Sequence, residues 1–266
     1  MPLSRRELLF LAGSFSAATL ASPRLVTAAP APLRKLGLIF PPAGRGVPEE
    51  GVTMYGDRVE FLVETLGLET MTPEGYDAVI GLIGPAAEKL ASRGAEAVVL
   101  MGTSLSFYQG EAFNQSLTET LLRSSGLPCV TMSTAMIEGL KKVGAQKVVA
   151  ATAYNDEVNR RLEGFLREHT FSVLNVKGLG IEAVGDIFSV TQPQLIEFGV
   201  EVVAGGAGAD AILVSCGGLR TLEILAPLEG RTGIPAVSST PHALYAGAKL
   251  LGIDARVADS GKLLSI

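Results

Sequence analysis

Short apolar runs recur along this chain, each stopping at glycine, proline or a small hydroxyl residue. They fall near residues 36–40, 97–101, 129–132, 147–151, 171–176, 210–215 and 236–238. Runs of this length bounded by turn formers read as buried strands. Between them, apolar residues at helical spacing or capping residues predict helices over 55–66, from 72 to about 93, and over 110–124, 133–143, 155–168, 192–205, 222–230 and 241–251. Thr72 is a candidate N-cap with Pro73 at the first helical position. Residues 44–51 are rich in Gly and Pro and lack periodicity, which predicts a loop over whatever cleft the strand ends form; residues 178–185 form a second loop punctuated by glycine. Regular strand–helix alternation predicts parallel sheets.

The pattern occurs twice. Residues 94–104 (GAEAVVLMGTS) lie over 208–218 (GADAILVSCGG) without a gap, at an offset of 114 that sets Cys216 opposite Gly102. The match continues in 126–134 (GLPCVTMST) against 233–241 (GIPAVSSTP), and more loosely in 35–42 against 147–154. A repeat this long is no solenoid unit. It predicts an α/β protein of two pseudo-symmetric Rossmann-like lobes, about 35–144 and 145–245. Each has a central parallel sheet flanked by helices, with the C-terminal helix packing back and the active site in the cleft between lobes. Residues at the carboxyl ends of such strands face the ligand crevice.

Composition narrows the classes. The chain has 266 residues, 47% hydrophobic and 18% charged, enough for a large core in one or two domains. Its net charge is −5, and no basic patch would draw nucleic acid. Two cysteines are no disulfide framework. At the amino terminus Ser4-Arg5-Arg6-Glu7 precedes an apolar stretch from Leu8 to Leu20, and residues 26–29 (VTAA) offer small-residue cleavage sites. This predicts a twin-arginine-type signal over residues 1–29, export to the periplasm, a mature chain from Pro30 carrying about −7, and no stable membrane insertion once the leader is removed. A protein whose leader is not used would stay in the cytoplasm.

Cys216 is the candidate for chemistry. A thiol at a glycine-rich strand end can act as nucleophile or as proton donor and acceptor, although a free cysteine is commonly a core residue. Cys129, at the start of an apolar strand, reads as core. Thr103 and Ser104 on the facing loop, Tyr154 at another strand end, and the Cys216 and Gly217 amides form a candidate nest for a carboxylate. His169 reads as solvated surface, and His242 caps or packs at a helix start. No His, Cys and carboxylate cluster has metal-ligand spacing, and no dinucleotide fingerprint, P-loop or nucleophile elbow is present.

Several segments carry a resemblance: 72–80 (TPEGYDAVI), 100–108 (LMGTSLSFY), 126–135 (GLPCVTMSTA), 151–154 (ATAY) and 215–219 (SCGGL). The chain resembles the aspartate/glutamate racemase superfamily, and within it the arylmalonate decarboxylases. The superfamily's racemases carry one cysteine on each lobe, whereas Gly102 stands here at the first position, as in the decarboxylases. The resemblance implies a carboxy-lyase without cofactor or metal, acting on a small dicarboxylate. It implies Cys216 as proton donor, with Thr103, Ser104, Tyr154, Cys216 and Gly217 as a dioxyanion hole. Leu68, Met71, Tyr76, Leu105, Val184 and Ile187 would form an apolar pocket, and Pro41 and Gly102 would shape the space at the reacting carbon. The expected assembly is a monomer. Competing readings are a racemase or cis–trans isomerase of maleate, aspartate/glutamate or hydantoin type, and a periplasmic carboxylate-binding protein.

Overall fold

In a computed structural model of the chain, residues 32–266 are described; the expected leader, residues 1–29, lies outside them. The chain enters through β1 (Arg34–Pro42), α1 (Glu49–Tyr55) and β2 (Val59–Leu68). It continues through α2 (Pro73–Ile80), α3 (Ile83–Ser92), β3 (Ala97–Leu100), α4 (Thr103–Phe107), α5 (Glu111–Ser125), β4 (Cys129–Thr131) and α6 (Met132–Lys142). The second half holds β5 (Lys147–Thr152), α7 (Asp156–Glu168), β6 (Ser172–Gly178), α8 (Val184–Ile187) and α9 (Gln192–Ala204). It ends with β7 (Ala211–Ser215), α10 (Leu222–Thr232), β8 (Ala236–Ser238) and α11 (Ser239–Leu250).

These strands make two four-stranded sheets, ordered β2-β1-β3-β4 and β6-β5-β7-β8, with every pairing parallel. The expected two-lobed α/β plan is therefore present, and the repeat extends to small devices. The Glu96 carboxylate, just before β3, accepts from the Lys35 amide at 2.9 Å. Asp210, 114 residues later and just before β7, accepts from the Gln146 and Lys147 amides at 3.0 Å. Each carboxylate ties the start of one central strand to the next. Gly126 and Gly233 end α5 and α10 in the left-handed conformation, at φ 69° and 73°, as a glycine C-cap requires.

The lobes also exchange helices. α6 follows a strand of the first sheet yet packs on β8, where a Cβ on Gly139 would lie 3.1 Å from Val237 Cγ1. α11 follows β8 yet packs on β3 and β4, and a Cβ on Gly247 would lie 2.7 Å from Leu36 Cδ2. Glycine at these two points lets each helix lie close against the other half's sheet, so that one continuous core joins the halves.

Three expectations need correction. Residues 59–68 form the edge strand β2, paired with β1, instead of lying in a helix over 55–66. Val59, Leu62, Val63 and Leu66 fall at helical spacing, but the β-branched and aromatic residues suit a half-buried edge strand. The single helix expected from 72 to 93 breaks at Gly81-Leu82 into α2 and α3, and glycine is a poor interior helix residue. The loop expected over 44–51 gives way to α1 at Glu49. The Thr72 cap is present, with its hydroxyl accepting from the Gly75 amide at 3.3 Å. No helix among the described residues is long and apolar enough to cross a membrane.

Candidate active site

β7 is buried along its whole length, and Cys216 is the first residue beyond it, 5% exposed. Its amide donates to Ser239 Oγ at 3.2 Å, and its sulfur lies 3.9 Å from Met71 Sδ. The two following glycines let the loop approach its surroundings. A Cβ on Gly217 would lie 3.1 Å from Met132 Sδ and 3.3 Å from the Met101 carbonyl oxygen; one on Gly218 would lie 2.8 Å from Ile187 Cγ2. Met101 and Met132 belong to strand ends of the first sheet, so the two halves meet here. Burial pushes the Cys216 thiol up to about 11, outweighing the Gly218 amide and the positive charge of Arg45, which act the other way. The resting group is therefore a neutral thiol.

The facing turn is Gly102-Thr103-Ser104, between β3 and α4. Ser106 Oγ donates to the Gly102 carbonyl at 2.8 Å, and Ser133 Oγ donates to the Thr103 carbonyl at 2.9 Å. These bonds hold the two carbonyls of the turn in place. The Thr103 hydroxyl donates to the Met132 sulfur. Gly102 has φ −134° and ψ 91°, open to any residue, yet a Cβ there would sit 2.5 Å from Pro41 Cγ.

Two phenols stand behind this turn. Tyr154 is buried, with its hydroxyl 3.2 Å from Ser215 Oγ. Burial raises its pKa far above the ordinary tyrosine value, and the neighbouring Cys216 adds to the shift. Tyr76 is also buried, its ring edge-on to Tyr108 at 5.0 Å, and its hydroxyl has no hydrogen-bond partner among the described residues. The Ser104 hydroxyl is near enough to oppose the burial-driven rise in the Tyr76 pKa, but falls short of a hydrogen bond.

A cavity joins the Cys216 loop to the facing Gly102–Ser104 turn. Of the residues expected at the site, Pro41, Leu68, Met71, Gly102, Thr103, Ser104, Leu105, Val184, Ile187, Cys216 and Gly217 line it. Tyr76 and Tyr154 do not line it and stand behind Thr103 and Ser104. The Cys216 amide, expected as a free donor, is engaged by Ser239. The sequence reading missed Phe40, Pro42, Arg45, Met101, Phe188 and Gly218, which also line the cavity. The isolated bridge between Thr70 and Ala183 ties the segment after β2 to the one before α8, and so brings Met71 beside Val184 and Ile187.

The remaining candidates are structural. Cys129 is half-buried, donates to the Leu127 carbonyl at 2.9 Å, and is unpaired like Cys216. His242 is buried with Nδ1 2.7 Å from the Ser238 amide, and burial lowers its pKa to about 4, so its ring is neutral. His169, expected on the surface, instead lies 2.9 Å from Glu111 and edge-on to Phe165, because the end of α7 packs against the start of α5. Among the described residues no group of three His, Cys, Asp or Glu side chains is placed to hold a metal.

Comparison with known proteins bears on this site. The family model described as arylmalonate decarboxylase matches residues 36–264. An arylmalonate decarboxylase of Bordetella bronchiseptica is 44% identical over 217 residues, covering 82% of this chain and 90% of that protein. A crystal structure of a Gly-to-Cys, Cys-to-Ser double mutant of arylmalonate decarboxylase in its liganded form is 42% identical, with a TM-score of 0.84, covering 86% of this chain and 98% of that one. A maleate isomerase from Pseudomonas putida S16 shares the fold at 19% identity, with a TM-score of 0.81 over 88% of this chain and 99% of its own.

Proposed function

Because this chain belongs to the arylmalonate decarboxylase family, and is a carboxy-lyase by that kinship, we propose that it decarboxylates aryl- or alkenyl-substituted malonates and that Cys216 protonates the product carbon. The observation that carries this reading is one buried, neutral thiol on the wall of a largely apolar cavity, in company with the polar Thr103–Ser104 turn.

The chemistry follows from the residues. One malonate carboxylate lies against the Thr103–Ser104 turn and the Gly217 amide, with the Tyr154 phenol behind that turn. The other lies among Leu68, Met71, Leu105, Val184 and Ile187, where an ionised carboxylate is poorly solvated. Breaking the bond between the central carbon and that carboxylate releases neutral CO2 and leaves the electron pair as an enediolate on the retained carboxylate. Donors aimed at the retained oxygens stabilise the enediolate more than the starting carboxylate, and one such donor can be worth about 3 kcal/mol. An aryl or alkenyl arm spreads the charge. The Cys216 thiol then delivers its proton to carbon, and the resulting thiolate is reprotonated by water. A thiol raised to about 11 holds its proton at neutral pH and gives it up to a carbanion, which is a far stronger base.

A racemase or cis–trans isomerase using two thiols would need its second one at Gly102, where even a Cβ meets Pro41. This weighs against that reading. The twin-arginine pattern at Arg5-Arg6 supports export, and we place the mature protein in the periplasm; cell fractionation with and without an Arg5→Lys/Arg6→Lys leader tests this.

The test of function is CO2 release from phenylmalonate and methylphenylmalonate by the purified protein without added cofactor, with Cys216→Ser beside it. The expected loss in the variant is roughly 10²–10⁴-fold, the range for a positioned proton donor. Absence of release from both substrates, with the fold intact by circular dichroism, would reject the reading in favour of a carboxylate binder.

A further inference from the structure

Arg45 is the one cationic side chain among the residues lining the inner cavity, and the family chemistry set out above gives it no task. It lies at the cavity's mouth. A second, outer cavity shares Arg45, Ile187, Phe188 and Gly218 with the inner one. The guanidinium carbon sits 4.7 Å from the Phe188 ring centroid and 5.5 Å from that of Phe40. These rings hold the planar group in place and leave its N–H edge unused.

Among the described residues, no acceptor takes a hydrogen bond from Arg45 and no carboxylate forms an ion pair with it, whereas its neighbours are committed. Arg220, the other cation of the outer cavity, pairs with Glu49 at 3.0 Å and Glu223 at 3.3 Å. Glu50 is buried and accepts from the Thr221 and Leu222 amides at 2.8 and 2.9 Å, capping α10. Arg45 is thus a half-buried cation between two cavities; burial disfavours its charged form, and the nearby negative charge of Glu50 offsets this only in part. Guanidinium does not escape by losing its proton. A half-buried charge with no hydrogen-bonded partner gains from a bound anion.

The anion cannot be the departing carboxylate, because a cation there would stabilise the ground state that the apolar wall raises. The retained carboxylate has its own donors at Thr103 and Ser104. We infer that Arg45 is the specificity-determining cation of this site, and that it receives a carboxylate carried on the far end of the substrate's third arm, which reaches through the mouth into the outer cavity. The substrate class is then a malonate whose aryl or alkenyl substituent is itself acidic. The planar guanidinium fork suits a carboxylate taken through two N–H groups. This inference rests on the decarboxylase reading for the reaction, though not for the binding.

The experiment compares the full wild-type chain with Arg45→Met and Arg45→Lys. Kinetics are read on phenylmalonate and on its 3- and 4-carboxyphenyl analogues. Calorimetry is read on phenylacetate and on the matching carboxyphenylacetates, which need no turnover. The wild type should prefer a carboxylated arm in both kcat/KM and Kd. Arg45→Met should lose roughly 10–100-fold of that preference, mainly in KM, and Arg45→Lys should recover part of it. Phenylmalonate, which lacks the second carboxylate, is the reference against which this preference is read in each variant. Equal preference in wild type and Arg45→Met, or a wild type that favours the uncharged arm, overturns the inference. If no malonate releases CO2, the decarboxylase reading fails, and the calorimetric ratio still decides the role of Arg45.

Discussion

Replacing Gly102 by cysteine puts a second thiol on the face opposite Cys216 and tests the packing of the site as well as its chemistry. The backbone at Gly102 is acceptable to any residue, so the whole structural cost is steric. The new Cβ would lie 2.5 Å from Pro41 Cγ, 3.3 Å from Pro41 Cδ and 3.4 Å from Leu105 Cβ. Ordinary carbon–carbon contacts lie at about 3.5–4.0 Å, so the Pro41 ring must retreat by about 1 Å. Overpacking of this kind costs roughly 1–3 kcal/mol, with Tm falling by roughly 2–4 °C for each kcal/mol in a protein of this size. Pro41→Ala removes the obstructing ring atoms and should return most of that loss when combined with Gly102→Cys. The sum of the single effects should therefore exceed the double effect, as expected for residues in contact. Function is read by incubating one enantiomer of 2-phenylpropionate with each variant and following enantiomeric excess by chiral chromatography. Wild type should preserve it, and Gly102→Cys should erode it, because a proton can then be removed on one face and returned on the other. A folded Gly102→Cys variant with a free, titratable new thiol and no loss of enantiomeric excess would refute the opposed-face geometry. Additive stability effects with Pro41→Ala would refute the packing argument.

Other expectations follow from the same geometry. Tyr154→Phe should cost about 1 kcal/mol of stability through the lost Ser215 contact, which thermal melts check. Absorbance at 240 nm should show Cys216 ionising near pH 11. The unfolded thiol loses its proton near 9, so stability contributed by the buried thiol is full below about 9 and declines as pH rises to about 11. His242 shifts stability at the other end. Its pKa is lowered from 6.5 to about 4, so the unfolded state takes up a proton first and stability falls as pH drops through that window. His242→Gln should melt with a shallower acid slope over the same range.

The duplication made the two sheets and the position of Cys216 legible, because strand-end glycines and apolar runs are local signals that survive in both halves. The offset of 114 that sets Cys216 over Gly102 in the sequence corresponds to two strand-end loops lining one cavity. β2 was misread because Val59, Leu62, Val63 and Leu66 satisfy helical spacing while occupying an edge strand; the pairing with β1 that settles the matter lies outside the segment. The helix exchange depends on Gly139 and Gly247 facing the other half's sheet, which no local pattern announces. Arg45 was missed for a similar reason. It sits in a loop without periodicity, and its placement comes from Phe40 and Phe188, the latter 143 residues away. The apolar residues of the pocket were legible through resemblance, whereas the charge at its mouth was not.

The most direct test of the central claim is the decarboxylation of methylphenylmalonate in D2O, with the product analysed by chiral chromatography and NMR. The account predicts one enantiomer of 2-phenylpropionate carrying a single deuterium on the α-carbon, formed by wild type and lost in Cys216→Ser. Racemic product from the wild type, or undiminished single-enantiomer product from Cys216→Ser, would contradict Cys216 as the proton donor.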